Sequence, residues 1–357
     1  TSIDPATNNN ITQQETSSDT RTASNAKENS EDNSIESPEE TASSFYLRGG
    51  EYNIFIINEQ YADVPAQTGD TEQSPTPIIS IENLDNYIHD NRISVKDLYL
   101  QISSMGDEKP GIVEGNDLPD FNPDDEYLKE VKSPIFYAVQ KNINIQTGQP
   151  TVMEFDMQRI SQRINIIFNI RTEGNIKKED LSAPIIELSG TCGRFNISDA
   201  CLDTTRLYRT VHQVQPDEFT QTGEGTYRCA VHFHTLGIIP SAAKGHLNGP
   251  GILQVALQVS TPQLDAAGAP VLDADGNPVK NSRYIYGAIN PYDELTAAQL
   301  IEMRDGKTYL RYSKEDVNIE ITTPLVIKAD KIVPNDTGMG WQPHDPSNPD
   351  DDIIIEI

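Results

Sequence analysis

Apolar residues recurring at every second position constrain this chain more than any other feature. In 162–170, Ile164, Ile166, Phe168 and Ile170 alternate with Asn165 and Asn169. Tyr227, Cys229, Val231 and Phe233 alternate with Arg228, His232 and His234, and Leu253, Val255, Leu257 and Val259 alternate with Gln254 and Gln258. Val317, Ile319 and Ile321 repeat the pattern against Asn318 and Glu320, as Met153, Phe155 and Met157 do against Glu154 and Asp156. Successive side chains of a strand point to opposite faces, so each run buries one face and wets the other. Parallel sheets covered by helices would give continuous apolar runs instead. The expectation is therefore antiparallel sheets, with Val231, Phe233, Val255 and Leu257 in one core and Gln254 in water.

Helical signal is confined to Asp293 to Met303, where Asp293 or Thr296 could cap about two turns. The fold class is all-β: many short strands joined by polar turns imply antiparallel β-sandwich domains. The 357 residues, 36% of them hydrophobic, suit two domains of roughly 100 to 200 residues each. Their expected bounds are 45–148 and 149–357. The first would open on a strand at 52–58, just after Gly49 and Gly50, and continue through a strand or short helix at 93–102 and a strand at 134–139. Proline- and acid-rich loops are expected at 62–77 and 106–125.

Ahead of these domains, residues 1–44 contain no aromatic, Leu, Val, Met or Cys. Such a leader cannot bury enough apolar surface to offset the entropy of ordering it, so it reads as a disordered polar tether. A start at Thr1 rather than Met reads as a processed N-terminus. A lipid-carrying Cys just upstream of Thr1 would make the leader a membrane anchor, the one route to a membrane for a sequence without an apolar run of about 20 residues. A formal net charge of −28 repels phosphate backbones, which excludes nucleic acid as a partner.

Sites of chemistry are sparse. Cys192, Cys201 and Cys229 are too few for a disulfide scaffold and read as small apolar residues, with a bridge from Cys192 to Cys201 or Cys229 as the alternative. Asp273, Asp275 and Asn277 invite calcium, but an EF-hand loop needs Gly at position six and an acid at twelve. Counted from Asp273, this chain has Gly276 at position four and Tyr284 at position twelve. A type I′ turn at Asp275-Gly276, tipping a hairpin that duplicates 265–272 in 273–280, accounts for the pattern better. His232 and His234 share a strand face at a spacing zinc can use, yet Arg228 stands beside them, and no metal is expected. No nucleophile elbow, His-Glu-x-x-His or phosphate loop occurs, so neither a catalytic residue nor a cofactor is expected.

The C-terminus supplies the candidate for assembly. After Trp341 comes a Pro-, Asn- and Asp-rich arm, and then a short β-branched strand of Ile353, Ile354, Ile355, Glu356 and Ile357. Left unpaired it would be an aggregation hazard, so it should close the chain's own sheet or insert into a partner. Trp341, with the Tyr284/Tyr286 pair, is the candidate aromatic platform for a ligand.

Several of these stretches resemble the fimbrillin-like surface proteins of Bacteroidetes. Gly49-Gly-Glu-Tyr-Asn-Ile-Phe-Ile-Ile-Asn-Glu59 is similar to their first strand. Met157 to Ile170 and Leu188-Ser-Gly-Thr-Cys-Gly-Arg-Phe-Asn-Ile197 are similar to the strands opening their C-terminal domain, with weaker echoes at 232–237 and Trp341. The resemblance implies two transthyretin-like, Greek-key sandwiches, export as a lipoprotein to the cell outer membrane, and a place in a type V pilus built by donor-strand exchange, with other fimbrial subunits as partners. Shaft subunits of that family lose an N-terminal strand by cleavage after an Arg. Here Arg21 and Arg48 are available, but only Phe45-Tyr-Leu47 stands before Arg48 as possible strand, which favours an anchor or accessory subunit. The alternative is a surface lipoprotein that uses the same tether and sandwiches to bind glycan or protein ligands.

Overall fold

β-branched and aromatic residues at alternate positions form strands through most of the described residues. The computed structural model describes residues 2–5, 47–58, 77–84, 86, 94–105, 127–174, 176–247, 249–311, 316–328, 331–335 and 340–343. In chain order the elements are β1 (Ser2–Pro5), β2 (Gly50–Ile57), β3 (Ile79–Glu82), β4 (Tyr99–Ile102), β5 (Phe136–Ile145), β6 (Gln158–Arg159), β7 (Gln162–Glu173), β8 (Ile185–Cys192), β9 (Arg194–Asn196) and β10 (Cys201–Leu202). They continue with β11 (Leu207–Gln213), β12 (Phe219–Gly223), β13 (Thr226–Thr235), β14 (Leu253–Pro262), β15 (Lys280–Ile289), α1 (Tyr292–Ala298), β16 (Ile301–Arg304), β17 (Lys307–Leu310), β18 (Asp316–Lys328), β19 (Lys331–Ile332) and β20 (Gln342–Pro343). The fold class is all-β, as the alternation requires. Among the described residues, no helix is long and apolar enough to cross a membrane.

Two units separate by contact: one from the described residues within Thr1–Ile56 and Ala138–Asp156, the other from those within Ile57–Tyr137 and Met157–Ile357. The division differs from the expected boundary at 148, because β3 and β4 hydrogen-bond into a six-stranded sheet of order β16-β17-β10-β9-β4-β3. Ladder bonds between strands remote in sequence decide membership, and a scan along the chain does not see them. The 93–102 stretch is both of its expected alternatives in turn. A 3₁₀ turn at Val95–Asp97, closed by a capping box at Ser94, leads directly into β4.

In the first unit, β1 pairs antiparallel with β2, and Tyr52, Ile54 and Ile145 form a small core against which Met153 and Phe155 pack. The alternation of 151–157 thus finds its apolar side, although this stretch forms no ladder strand and Met157 is exposed. β1 corrects the expectation for the leader. Ser2–Pro5 is paired strand, since a backbone ladder needs no apolar side chain, and the rest of 1–44 lies outside the described residues. A strand therefore stands ahead of both Arg21 and Arg48.

The second unit contains a sandwich. Sheet β11-β8-β14-β15-β20 and sheet β12-β13-β7-β18-β19 share one core that includes Ile164, Phe168, Val231, Phe233, Val255 and Leu257. The four residues expected in a common core are there. β18 runs parallel to β7, a departure from the antiparallel expectation, while β13 pairs with β7 antiparallel from Thr226↔Arg171 to Thr235↔Gln162. β8 bulges where Gly190 adopts a left-handed φ of +79°. A Cβ there would lie 2.6 Å from the Gly251 nitrogen, so only glycine fits. The expected two-turn helix is half right: α1 ends at Ala298 because Gln299 turns left-handed at φ 50°, and β16 follows.

Candidate functional site

The sandwich strands leave two long edges unladdered among the described residues. β18 hydrogen-bonds β7 on one side, and on the other only its last two residues, Ile327 and Lys328, pair with β19. β15 is fully paired with β14, but β20 covers only Gly287 and Ala288 on its far side. Unpaired N–H and C=O groups on such an edge are a template for another strand. On β18, Asp316, Asn318, Glu320 and Thr322 point outward while Val317, Ile319 and Ile321 fill the core. A pocket of about 100 Å³ opens beside this edge, lined by Ile289, Asn290, Ile321 and Thr323 with the Lys244–Asp293 ion pair.

Trp341 belongs to this margin but is not a platform. Its ring is buried, 1% exposed, and packs 5.3 Å from the Phe168 ring, while its Nε1 donates 2.9 Å to the Thr323 carbonyl oxygen. A lone Trp ahead of a polar arm reads as a surface aromatic in sequence. The fold instead uses it to close the core beside the β18 edge. Ile353, Ile354, Ile355 and Ile357 lie outside the described residues.

The outer face of sheet β11-β8-β14-β15 is covered where water was expected. Glu187 is completely buried, accepts from the Tyr127 hydroxyl at 2.7 Å and is ion-paired with Arg209. Gln254 is only 7% exposed, a correction to the wet face assigned to it. In register it lies between Glu187 and Ala288, and Ala288 packs with Leu247 and Ile252. Farther along β15, Tyr284 and Tyr286 stack with centroids 6.4 Å apart; half-buried, they pack against Tyr127, Ile185 and Ala256.

A second polar cluster ties the 127–131 segment to β11 and β13. His212 hydrogen-bonds Glu130 through Nδ1 at 3.3 Å and Glu218 through Nε2 at 2.8 Å, and His232 lies 3.6 Å from Glu218. Burial would lower the His212 pKa, but the hydrogen bonds and charges of Glu130 and Glu218 outweigh it and hold the pKa above the usual imidazole value. The bond from His212 holds Glu130 below the usual carboxylate value. His234 behaves oppositely: burial, then the charges of Arg159 and Arg163, push it down to about 4. Among the described residues, no group of three or more His, Cys, Asp or Glu side chains is placed to hold a metal ion.

The remaining sequence candidates resolve locally. All three cysteines are free and buried, and burial pushes Cys192 and Cys229 up to about 12, which leaves inert thiols and neither alternative bridge. The duplicated hairpin is present twice over. Asp265 Oδ1 accepts from the Ala267 and Ala269 amides, and Asp273 Oδ1 accepts from the Asp275 and Asn277 amides. Gly276 has φ 82° while Asp275 is not left-handed, so the tip is a type I turn with a glycine bulge rather than type I′.

No family model and no curated protein matches the chain. Among solved structures it is similar to a "putative adhesin" from Bacteroides ovatus ATCC 8483, at 9% identity and a TM-score of 0.37 over 80% of this chain and 76% of that one. It is also similar to one of the "putative polysaccharide binding proteins" from Bacteroides thetaiotaomicron, at 12% identity and a TM-score of 0.32 over 79% and 72% of the two chains. A "putative adhesin" from Bacteroides thetaiotaomicron matches at 11% identity and a TM-score of 0.33 over 85% and 77%. Values this low leave function to be argued from the chain's own strands and side chains.

Proposed function

We propose that this protein is a non-enzymatic cell-surface subunit that joins other fimbrial subunits by β-strand addition, exported and lipid-anchored at the outer membrane, and serving adhesion. The observation that carries this reading is the unladdered outer edge of β18, with that of β15 beside the point where the chain leaves β20. Ladder bonds along such an edge supply affinity, and alternate side chains supply register. The apolar stretch 353–357 has the composition of the strand that would use it. If it closes its own domain, the subunit accepts strands, as an anchor or accessory subunit does. If it donates, the subunit sits farther along the fibre.

Deleting 353–357 separates these cases. Loss of about 2 to 4 kcal/mol in denaturant unfolding of the monomer marks a closing strand, since apolar area and a ladder are both lost. An unchanged melt with loss of binding to a neighbouring subunit marks a donor. If stability and assembly are both unchanged, strand addition through this segment is wrong.

A second reading, a surface protein binding glycan, is favoured by the stacked, half-exposed Tyr284/Tyr286 pair. Glycan-array binding that disappears in Tyr286→Ala would establish it.

A further inference from the structure

The outer face of sheet β12-β13-β7-β18-β19 carries, at one end, a basic side chain that makes no ion pair among the described residues. Arg163 on β7 stands in register between His234 on β13 and Asp316 on β18. Asp316 is ion-paired with Arg159, at 3.6 Å, and is itself 58% exposed. Arg163 Nε and His234 Nδ1 are both closed off from water and, among the described residues, lack a hydrogen-bond partner. A buried polar atom left unpaired is costly, and here two such atoms sit on neighbouring strands, on residues directly opposite each other. Arg163 as a whole residue is half-buried. In a chain of net charge −28 this is a local excess of positive charge.

We propose that Arg163 and His234, with Arg159 beside them, form a binding site for a single carboxylate group of the kind carried by a sugar acid. A guanidinium presents parallel N–H donors that match the two oxygens of a carboxylate, and an imidazole N–H adds a third donor. A single carboxylate also suits the charge of the whole molecule. At net −28 a polyacidic segment is repelled over its full length, whereas one charge feels mainly its surroundings within a Debye length of about 8 Å. The charged and titratable groups facing His234 are Arg159, Arg163, His232 and Asp316. An anion bound among them would offset the two arginines and ease protonation of the ring.

The test is NMR of the full chain titrated with D-glucuronate, with acetate, D-glucose and a tetra-aspartate peptide as parallel arms. Glucuronate and acetate should each shift the Arg163 Nε–H resonance and raise the midpoint of His234 titration from about 4 by about 1. Glucose should do neither. Arg163→Gln should abolish the rise at His234 with its circular dichroism unchanged. Should that variant not fold, the Arg163 Nε–H shift in the unmodified chain decides. No shift at either group at millimolar glucuronate overturns the site, as does an equal response to glucose. Tighter binding of the peptide would overturn the sugar-acid assignment.

Discussion

The two sheets of the sandwich carry the same alternating code, yet their outer faces end in different surroundings. On β8 and β14 the residues facing away from the core include Glu187, Gln254 and Ala256, and all three are buried. On β7, β13 and β18 the corresponding residues include Asn165, Arg228, Asn318 and Glu320, which stay wet or half-wet. Period two reports which face is core. It does not report whether the other face meets water, because that depends on segments such as 127–131 and the Leu247 loop arriving from elsewhere in the chain.

The largest effect expected from this contrast is at Glu187. Its carboxylate is fully buried and held by Arg209 and Tyr127, so Glu187→Ala removes a buried ion pair and a buried hydrogen-bond acceptor together. A loss of about 3 to 5 kcal/mol is expected in urea unfolding. A loss under about 1 kcal/mol would mean that the outer face of this sheet is open after all. Gln254→Ala should cost about 1 to 2 kcal/mol through lost packing, more than a wet-face glutamine would, in the same assay.

Much of the inner core was legible in the sequence. Ile164 to Ile170, Tyr227 to Phe233 and Val317 to Ile321 bury the side their alternation names, since one strand's pattern suffices to orient it. What escaped was set by distant partners. Glu130 meets His212 across 82 residues, β4 joins β9 across a gap that the 148 boundary divided, and Trp341 is drawn into the core by Phe168. The turn at 273–277 escaped for a local reason: Asp273 bonds two amides ahead of it, which holds Asp275 out of the left-handed conformation a type I′ turn requires. The β18 edge was invisible because an edge is set by which strands pair with it, and among the described residues β18 ladders only with β7 and β19.

The histidines sharpen the contrast through pH. His234 has a folded pKa of about 4 against 6.5 unfolded, so its contribution to stability is present above pH 6.5 and is lost as pH falls toward 4. His212 has the opposite sign: its folded pKa lies above 6.5, so its contribution is full below pH 6.5 and is lost as pH rises through the folded value. The Glu130 contribution is present above pH 4.5 and lost as pH falls through its lowered value. His234→Gln should therefore reduce the decline in melting temperature between pH 6.5 and 4, by an amount worth about 1 kcal/mol for a ring half in water. His212→Gln should cost most below pH 6.5 and progressively less toward alkaline pH. The same pH profile for both variants would show that the two rings do not occupy opposed environments.

The smallest effect is expected on the open face, and it tests whether that face is open. Asn165 Nδ2 donates 3.0 Å to Asn318 Oδ1 across β7 and β18, in an exposed hydrogen bond. Either amide recovers its bonds from solvent when its partner is removed, and alanine gives up no buried apolar area there. Asn318→Ala should accordingly change the unfolding free energy by under about 0.5 kcal/mol. Comparing it with Gln254→Ala sets two outward-facing amides of one sandwich side by side, one under cover and one in water. A cost at Asn318 equal to that at Gln254 would mean that something also covers the face beside the β18 edge, and an incoming strand would then find that edge less accessible than strand addition requires.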